Sequence, residues 1–336
     1  MLAAPRAARL TPMTSWGSRL FRLHRPLGVL AGAMAVLLVA CGFGLLLDDR
    51  TLVNAPLWAK PFKFAVSVAL YAPTLAWLLS LVKRGRRAGW WMGTAFAVGM
   101  GTDMALLVWQ VLFQDRPLHF NHATPADVTI GNILATGAFT AWGATAAVVV
   151  LLLFQKLPDR ALTSALRWGT ALAAGGMGLA LLMFSASPAQ QRVLDGGGKP
   201  AMIGGHTIGL EDGGPGLPLL GWSTAGGDLR IPHFVGIHAI QALPLLALAL
   251  VALSRRYPVL SHELVRRRLV WTGAVGYAGV IAITAWQAMR GQSIVRPDFW
   301  TLAVAFGLVA VVALGGLLSV RSRAGVPDER HALRGF

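Results

Sequence analysis

Long apolar runs separated by short polar ones set the rhythm of this chain. The first run is Pro26–Leu47, and seven more follow at about 61–82, 90–113, 127–154, 165–186, 232–254, 269–289 and 299–320. Each is about as long as the roughly 20 residues a helix needs to cross a hydrocarbon core. Within a bilayer the backbone has no water to bond to, so helices are the expected form of these spans. The pattern predicts an all-α polytopic membrane bundle of about eight transmembrane helices. The basic segment 1–25 precedes it, the bundle occupies 26–320, and the short basic tail 321–336 follows. A long glycine-rich loop, 187–231, separates the fifth span from the sixth.

Composition supports this reading. The chain is 55% hydrophobic and only 13% charged, against about 25% charged in soluble domains. Lysine and arginine total 30 and acids 14. The basic residues fall in short runs between spans, which is a topology signal and not the footprint of a nucleic-acid binder. With the N-terminus inside, the inner segments hold 21 of the 30 basic residues and only four acids, while nine acids lie outside. Both termini are therefore expected in the cytoplasm, with the 187–231 loop outside. Alanine- and arginine-rich usage suggests GC-rich bacterial coding, so the expected home is a bacterial cytoplasmic membrane.

One cysteine, Cys41, excludes an internal disulfide and multi-cysteine zinc sites. Leu38-Val39-Ala40-Cys41 resembles a lipobox, but the apolar run continues through Gly42–Leu47, where a lipoprotein turns polar. A plain first helix is the better reading. Gly28 and Gly32, and Gly273, Gly276 and Gly279, have the spacing of close helix packing. Trp58, Trp90, Trp91, Trp271 and Trp300 lie near span ends, as an aromatic belt requires.

Five of the eight histidines, His119, His122, His206, His233 and His238, belong to the outer half. Thr124-Pro-Ala-Asp127 has the form of a capping box, so the fourth helix is expected to start there, just after His122. His233 and His238 lie about 140° apart around a helix and do not share a face. His238 and Gln241 do, and Pro244 is expected to kink the helix beside Gln241. Polar stripes recur on other spans: Lys60, Lys63, Ser67 and Tyr71 on the second, Asp103, Gln110 and Gln114 on the third, and Asn132, Thr136 and Thr140 on the fourth. Pro73 is a second candidate kink. Asp103 is the only acid inside a span. Such a carboxylate is costly and by default functional, and Lys63 or Lys60, or a bound cation, is its expected partner. For each stripe alone, ordinary helix packing is the plainer explanation. Together they point to a polar cavity open outward.

The segments Lys60-Pro-Phe-Lys-Phe-Ala, His119-Phe-Asn-His and Gly221-Trp-Ser-Thr-Ala-Gly-Gly-Asp resemble patches of uncharacterised multi-pass membrane proteins from GC-rich bacteria. The resemblance covers short patches and implies no activity. The chain lacks the HxxxH-type pairs of ceramidase-like hydrolases, the GxSG of rhomboid proteases and the paired mid-helix histidines of b-type cytochromes. Gly221-Trp-Ser-Thr is not a nucleophile elbow.

Three functions fit these residues. The first is a metal- or haem-binding protein, with His119, His122, His206, His233 and His238 as metal ligands, His233, His238 and Gln241 as the cofactor niche, and Asp212 or Asp228 orienting an imidazole. Whether it would be an enzyme stays open. The second is a transporter or small-molecule binder. Lys60, Lys63, Arg230 and Arg290 would receive an anion, Asp103 would carry a proton or cation, and Gln110 and Asn132 would line the path. The third is a structural subunit of a membrane complex. Apart from the lipid bilayer and a small-molecule or ion ligand, the sequence names no partner.

Overall fold

A computed structural model describes residues 20–155 and 157–321. The basic N-terminal arginines before residue 20 and the tail from 322, with His331, lie outside them. The helices are α1 (Arg25–Leu47), α2 (Ala59–Leu81), α3 (Arg86–Val108), α4 (Pro125–Leu153), α5 (Arg160–Gly178), α6 (Pro188–Asp195), α7 (Arg230–Ile237), α8 (Ala239–Leu253), α9 (Glu263–Met289) and α10 (Phe299–Arg321). Seven of them, α1 to α5 with their terminal turns, α9 and α10, are long and apolar enough to cross a membrane. The pair α7 and α8, bent by 45°, makes an eighth if it is one span. All eight expected runs are thus helical, to within a few residues at each end.

Local chemistry sets the helix starts. The Thr124 hydroxyl accepts from the Asp127 N–H at 3.2 Å while the Asp127 carboxylate accepts from the Thr124 N–H at 3.1 Å. That is the reciprocal cap the sequence led us to expect, with Pro125 in the first turn. His24 caps α1, its Nδ1 accepting from Leu27 N–H, and Asp159 caps α5. Cys41 is buried within the unbroken α1, as the plain-helix reading requires. Two ends tighten or loosen: α3 runs into a π-turn at Trp109–Phe113, and α5 into a 3₁₀ stretch at Leu179–Phe184.

One apolar core joins α1 to α5 through Leu27, Ala72, Leu75, Phe96, Leu107 and Leu166. A second joins α5, α8 and α9 through Ala165, Leu243, Ala247, Val265 and Ala274. Helix α5 is the joint between the two halves. At the far edge α10 packs on α9 and leaves most of its surface outward, as expected for a helix facing lipid.

Some small-residue expectations hold. A Cβ on Gly273 would stand 2.4 Å from Leu246, and one on Gly279 2.5 Å from Leu308, so α9 presses closely on α8 and α10. Gly32 has open space instead, so the Gly28/Gly32 pair does not mark a helix contact. A close backbone-to-backbone approach of two helices lies elsewhere, between Gly176 of α5 and Gly236 of α7, where a Cβ on either glycine would come within 2.4 Å of the other's Cα.

The expected kinks moved. Helix α2 continues through Pro73 without interruption. The bend in the sixth span is at His238 and not beside Pro244, which sits inside α8. Contact of α7 with α5 at Gly236 explains the shift: α7 is drawn onto α5 by close backbone packing, and the chain changes direction where that contact ends.

One end of the bundle is covered by segment 185–229, which contains α6 and two short strands, β1 (Thr207–Ile208) and β2 (Gly227–Asp228), paired antiparallel. This cover is tied to every neighbouring loop. Met202 bridges Asn121 of the α3–α4 loop, Ile203 N–H donates to Phe120 O at 3.0 Å, and Ser293 of the α9–α10 loop donates to Ser223 O at 3.1 Å. Gly204 has φ of +94°, and a Cβ there would lie 2.5 Å from Met183 O, so only glycine lets the cover turn at this point.

Candidate functional site: a basic chamber under the cover

Beneath the cover, side chains from α2, the α3–α4 loop, the cover itself, α7 and α8 converge. Three are cations. Arg230, at the start of α7, grips Asp228 with two parallel bonds, Nε to Oδ1 at 2.9 Å and Nη2 to Oδ2 at 2.6 Å, and reaches Gly221 O at 2.5 Å. The Asp228 carboxylate is buried and also accepts from Ser223 N–H at 2.7 Å. This carboxylate is thus fully used in holding the cover to α7.

Lys63 Nζ donates to Leu220 O at 2.6 Å. It lies 3.6 Å from where a Cβ on Gly221 would stand, and Arg230 Nη1 lies 4.0 Å from the same point, so the two cations flank one stretch of the cover. One turn earlier, Lys60 is close enough to feel the charges of Arg230, Lys63 and Asp212. Neither lysine forms an ion pair among the described residues, and Lys60 forms no hydrogen bond there.

The imidazoles fill the chamber's other side. His206 Nδ1 donates to Asp212 Oδ2 at 2.5 Å, and the same carboxylate accepts from the backbone N–H groups of His206 and Thr207 at 3.0 Å. Burial works against the Asp212 anion, but the His206 side chain and these N–H groups outweigh it and hold the carboxyl well below the usual carboxylate range. Burial also lowers the His206 pKa, opposed by Asp212 and reinforced by Lys60 and Arg230. The neutral ring is then fixed as the Nδ1–H tautomer, with Nε2 left as an acceptor. His119 stands 6.3 Å from the His206 ring and stacks on Phe64 at 5.7 Å. Its pKa is held well below the ordinary histidine value, by burial first and then by Lys60, His206 and His233. Its Nδ1 is buried and has no hydrogen-bond partner among the described residues.

At the floor, His238 occupies the break between α7 and α8. Its Nε2 is 3.4 Å from Ser67 Oγ, and its Nδ1 is 3.4 Å from Gln241 Oε1. Both contacts are long for hydrogen bonds. Gln241 Nε2 is buried and has no partner among the described residues. The α2 stripe therefore works as a series: Lys60 and Lys63 under the cover, Ser67 at the helix break, and Tyr71 deeper still, bonded to Thr145 at 3.2 Å.

The remaining expected site residues bond elsewhere, although His233 stays close enough to act on His119, His206 and His238. His233 turns to α5 and bonds Gly176 O at 2.8 Å. His122 is exposed and contributes its backbone N–H to Ala201 O. Among the described residues no group of three or more histidine, cysteine or carboxylate side chains is placed to hold a metal ion. Gln110, in the π-turn, donates to Asp127 Oδ1 at 2.9 Å, and Arg116 pairs with the same carboxylate, so Gln110 helps to anchor the start of α4. Asn132, with Thr136 and Thr140, faces outward, and the two threonine hydroxyls bond back to their own helix. That stripe does not line the chamber, because its carbonyl bonds satisfy the hydroxyls on an outward face. Arg290 is engaged by Asp298, Gln292 and Thr301 and lies over the Trp286 ring at 3.9 Å.

Asp103 is not beside the lysines. It packs on α4, where a Cβ on Gly137 would lie 2.2 Å from its Oδ1, and that oxygen is buried with no partner among the described residues. The expected Asp103–lysine pair fails because Lys60 and Lys63 point up to the cover while Asp103 faces α4. Sequence reasoning missed the aromatic walls, Phe64 beside His119 and Phe120 at 5.1 Å from His206. Phe120 was legible only through its place inside the His119-Phe-Asn-His patch.

The class these features define is a helical bundle suited to a multi-pass membrane protein, with a cluster of basic and imidazole side chains beneath a cover at one end. Comparison with family models, curated proteins and solved structures finds no match.

Proposed function

We propose that the chamber binds a small organic anion bearing a carboxylate or phosphate, and that the protein is a transporter or binder for it in a bacterial cytoplasmic membrane, with the cover outside. The observation that carries this reading is the pair Lys60 and Lys63. Two partly buried ammonium groups beneath a cover, neither with an ion-pair partner among the described residues, form a positive pair that a bound anion would stabilise. The nearby carboxylates are committed, Asp228 to Arg230 and Asp212 to His206. The partnerless His119 Nδ1 and Gln241 Nε2 add polar atoms a ligand would satisfy. The broken α7–α8 pair beside them is the kind of discontinuous span that transporters use around a substrate.

The metal or haem reading has less support: His119 and His206 come into ring contact, but among the described residues no three histidine, cysteine or carboxylate side chains are placed to hold a metal ion.

The test is ligand-induced stabilisation of the detergent-purified protein with a panel of mono- and dicarboxylates and phosphate esters. A charge-assisted hydrogen bond contributes about 1.5–3 kcal/mol, so Lys60→Gln or Lys63→Gln should weaken the stabilising anion roughly ten- to hundredfold. If no anion stabilises the protein, or both variants bind as well as the native chain, the reading is wrong. Stoichiometric bound metal lost in a His119→Ala/His206→Ala variant would restore the metal alternative.

A further inference from the structure

At the opposite end of the bundle, α9 and α10 diverge around a groove of about 420 Å³. Leu264, Arg267, Arg268, Trp271 and Thr272 line it from α9, a single stripe at helical spacing, and Gly315 and Ser319 face them from α10. An adjoining hollow is lined by Arg268, Leu318, Ser319 and Arg321. We propose that this groove is a binding site for an anionic phospholipid headgroup. The inference rests on reading α9 and α10 as membrane spans and is independent of the chamber's ligand.

Depth supports it. At 1.5 Å per residue, Arg267 and Arg268 lie about 6–8 Å from the start of α9, and Thr272 about 14 Å. The headgroup region on one side of a bilayer is about 5–8 Å thick. The arginines therefore stand where headgroup meets hydrocarbon, and the floor lies just inside it. A Cβ on Gly315 would be 3.0 Å from Thr272, so the helices touch at the floor and open above it. Trp271 and Leu264 are each 43% exposed and Leu318 57%, so the walls are apolar and bare. Both helices are outward-facing along their length. Among the described residues no salt bridge holds Arg267 or Arg321. A free phosphate would use the guanidinium groups and leave the walls uncovered. A phospholipid uses both, with its phosphate at the arginines and its glycerol and first methylenes against Trp271, Leu264 and Leu318.

Native mass spectrometry of the detergent-purified full chain tests this with phosphatidylglycerol, phosphatidylcholine and inorganic phosphate. Phosphatidylglycerol should be retained preferentially. Its retention should fall about fivefold for each arginine removed in Arg267→Gln and Arg321→Gln, taking about 1 kcal/mol per basic residue near a membrane surface. Equal retention of phosphatidylcholine, retention unchanged in the double variant, or displacement by millimolar phosphate would each overturn the proposal. A photoactivatable phosphatidylglycerol on the native chain guards against a misfolded variant. It should label peptides spanning 264–272 and 315–321, and labelling confined to other helices would also overturn it. Lys60→Gln should leave all these results unchanged, which separates this site from the chamber.

Discussion

At the scale of the residue, His119 shows how the chamber combines burial with unsatisfied chemistry. It is held neutral by its surroundings, with Lys60, His206 and His233 as the charged or titratable groups that oppose its protonation. A histidine whose folded pKa is depressed contributes stability that is complete above its unfolded value of about 6.5 and lost as pH falls below it. Acidification from pH 7.5 to 5 should therefore loosen the cover, and the hydrogen-exchange protection of residues 203–212, taken relative to the intrinsic exchange rate at each pH, should fall over that range. In His119→Gln this part of the pH dependence should disappear; equal acid sensitivity in the variant would show that another group drives it. Asp212, held below the usual carboxylate range, acts in the same direction only at much lower pH. The histidines were visible in the sequence as a group on one side. Which of them met was not, because His233 found a backbone carbonyl on α5 and His122 found water.

At the scale of the element, glycine spacing misled where three-dimensional contact decides. The Gly28/Gly32 pair has a packing motif's spacing, yet Gly32 faces open space. Gly176 and Gly236 stand in no motif and bring α5 and α7 into backbone contact. Gly176→Ala should cost about 1–3 kcal/mol, since neither backbone can yield without moving a helix. It should also weaken ligand binding by displacing the helix break at His238. Gly32→Ala should leave stability unchanged or raise it by about 0.5–1 kcal/mol, the usual gain on replacing a helical glycine. Thermal unfolding of both variants in detergent checks this, and a harmless Gly176→Ala would show that the contact does not set the bend. The span positions and the Thr124 cap were legible because hydropathy and capping are local. The bend at His238 was not, because it depends on α5 and not on Pro244.

At the scale of the whole molecule, the charge asymmetry and the cover make a joint prediction about orientation. In a Cys41→Ala background, a membrane-impermeant thiol reagent applied to intact cells should label Lys199→Cys in the cover. Arg255→Cys, in the loop between α8 and α9, should be labelled only after lysis. The reverse pattern would invert the topology and place the chamber on the cytoplasmic side. The sequence alone determined the spans, their number to within the broken pair, the capped start of α4 and the polar character of the 185–229 segment. These follow from local apolar length, local caps and local composition. Tertiary structure alone decided that Lys60 and Lys63 meet the cover and not Asp103, that Asn132 looks outward, that Gln110 and Arg290 are occupied, and that two histidines of five face each other. Those outcomes depend on how each helix is rotated about its axis, and that rotation is set by contacts between residues far apart in the chain.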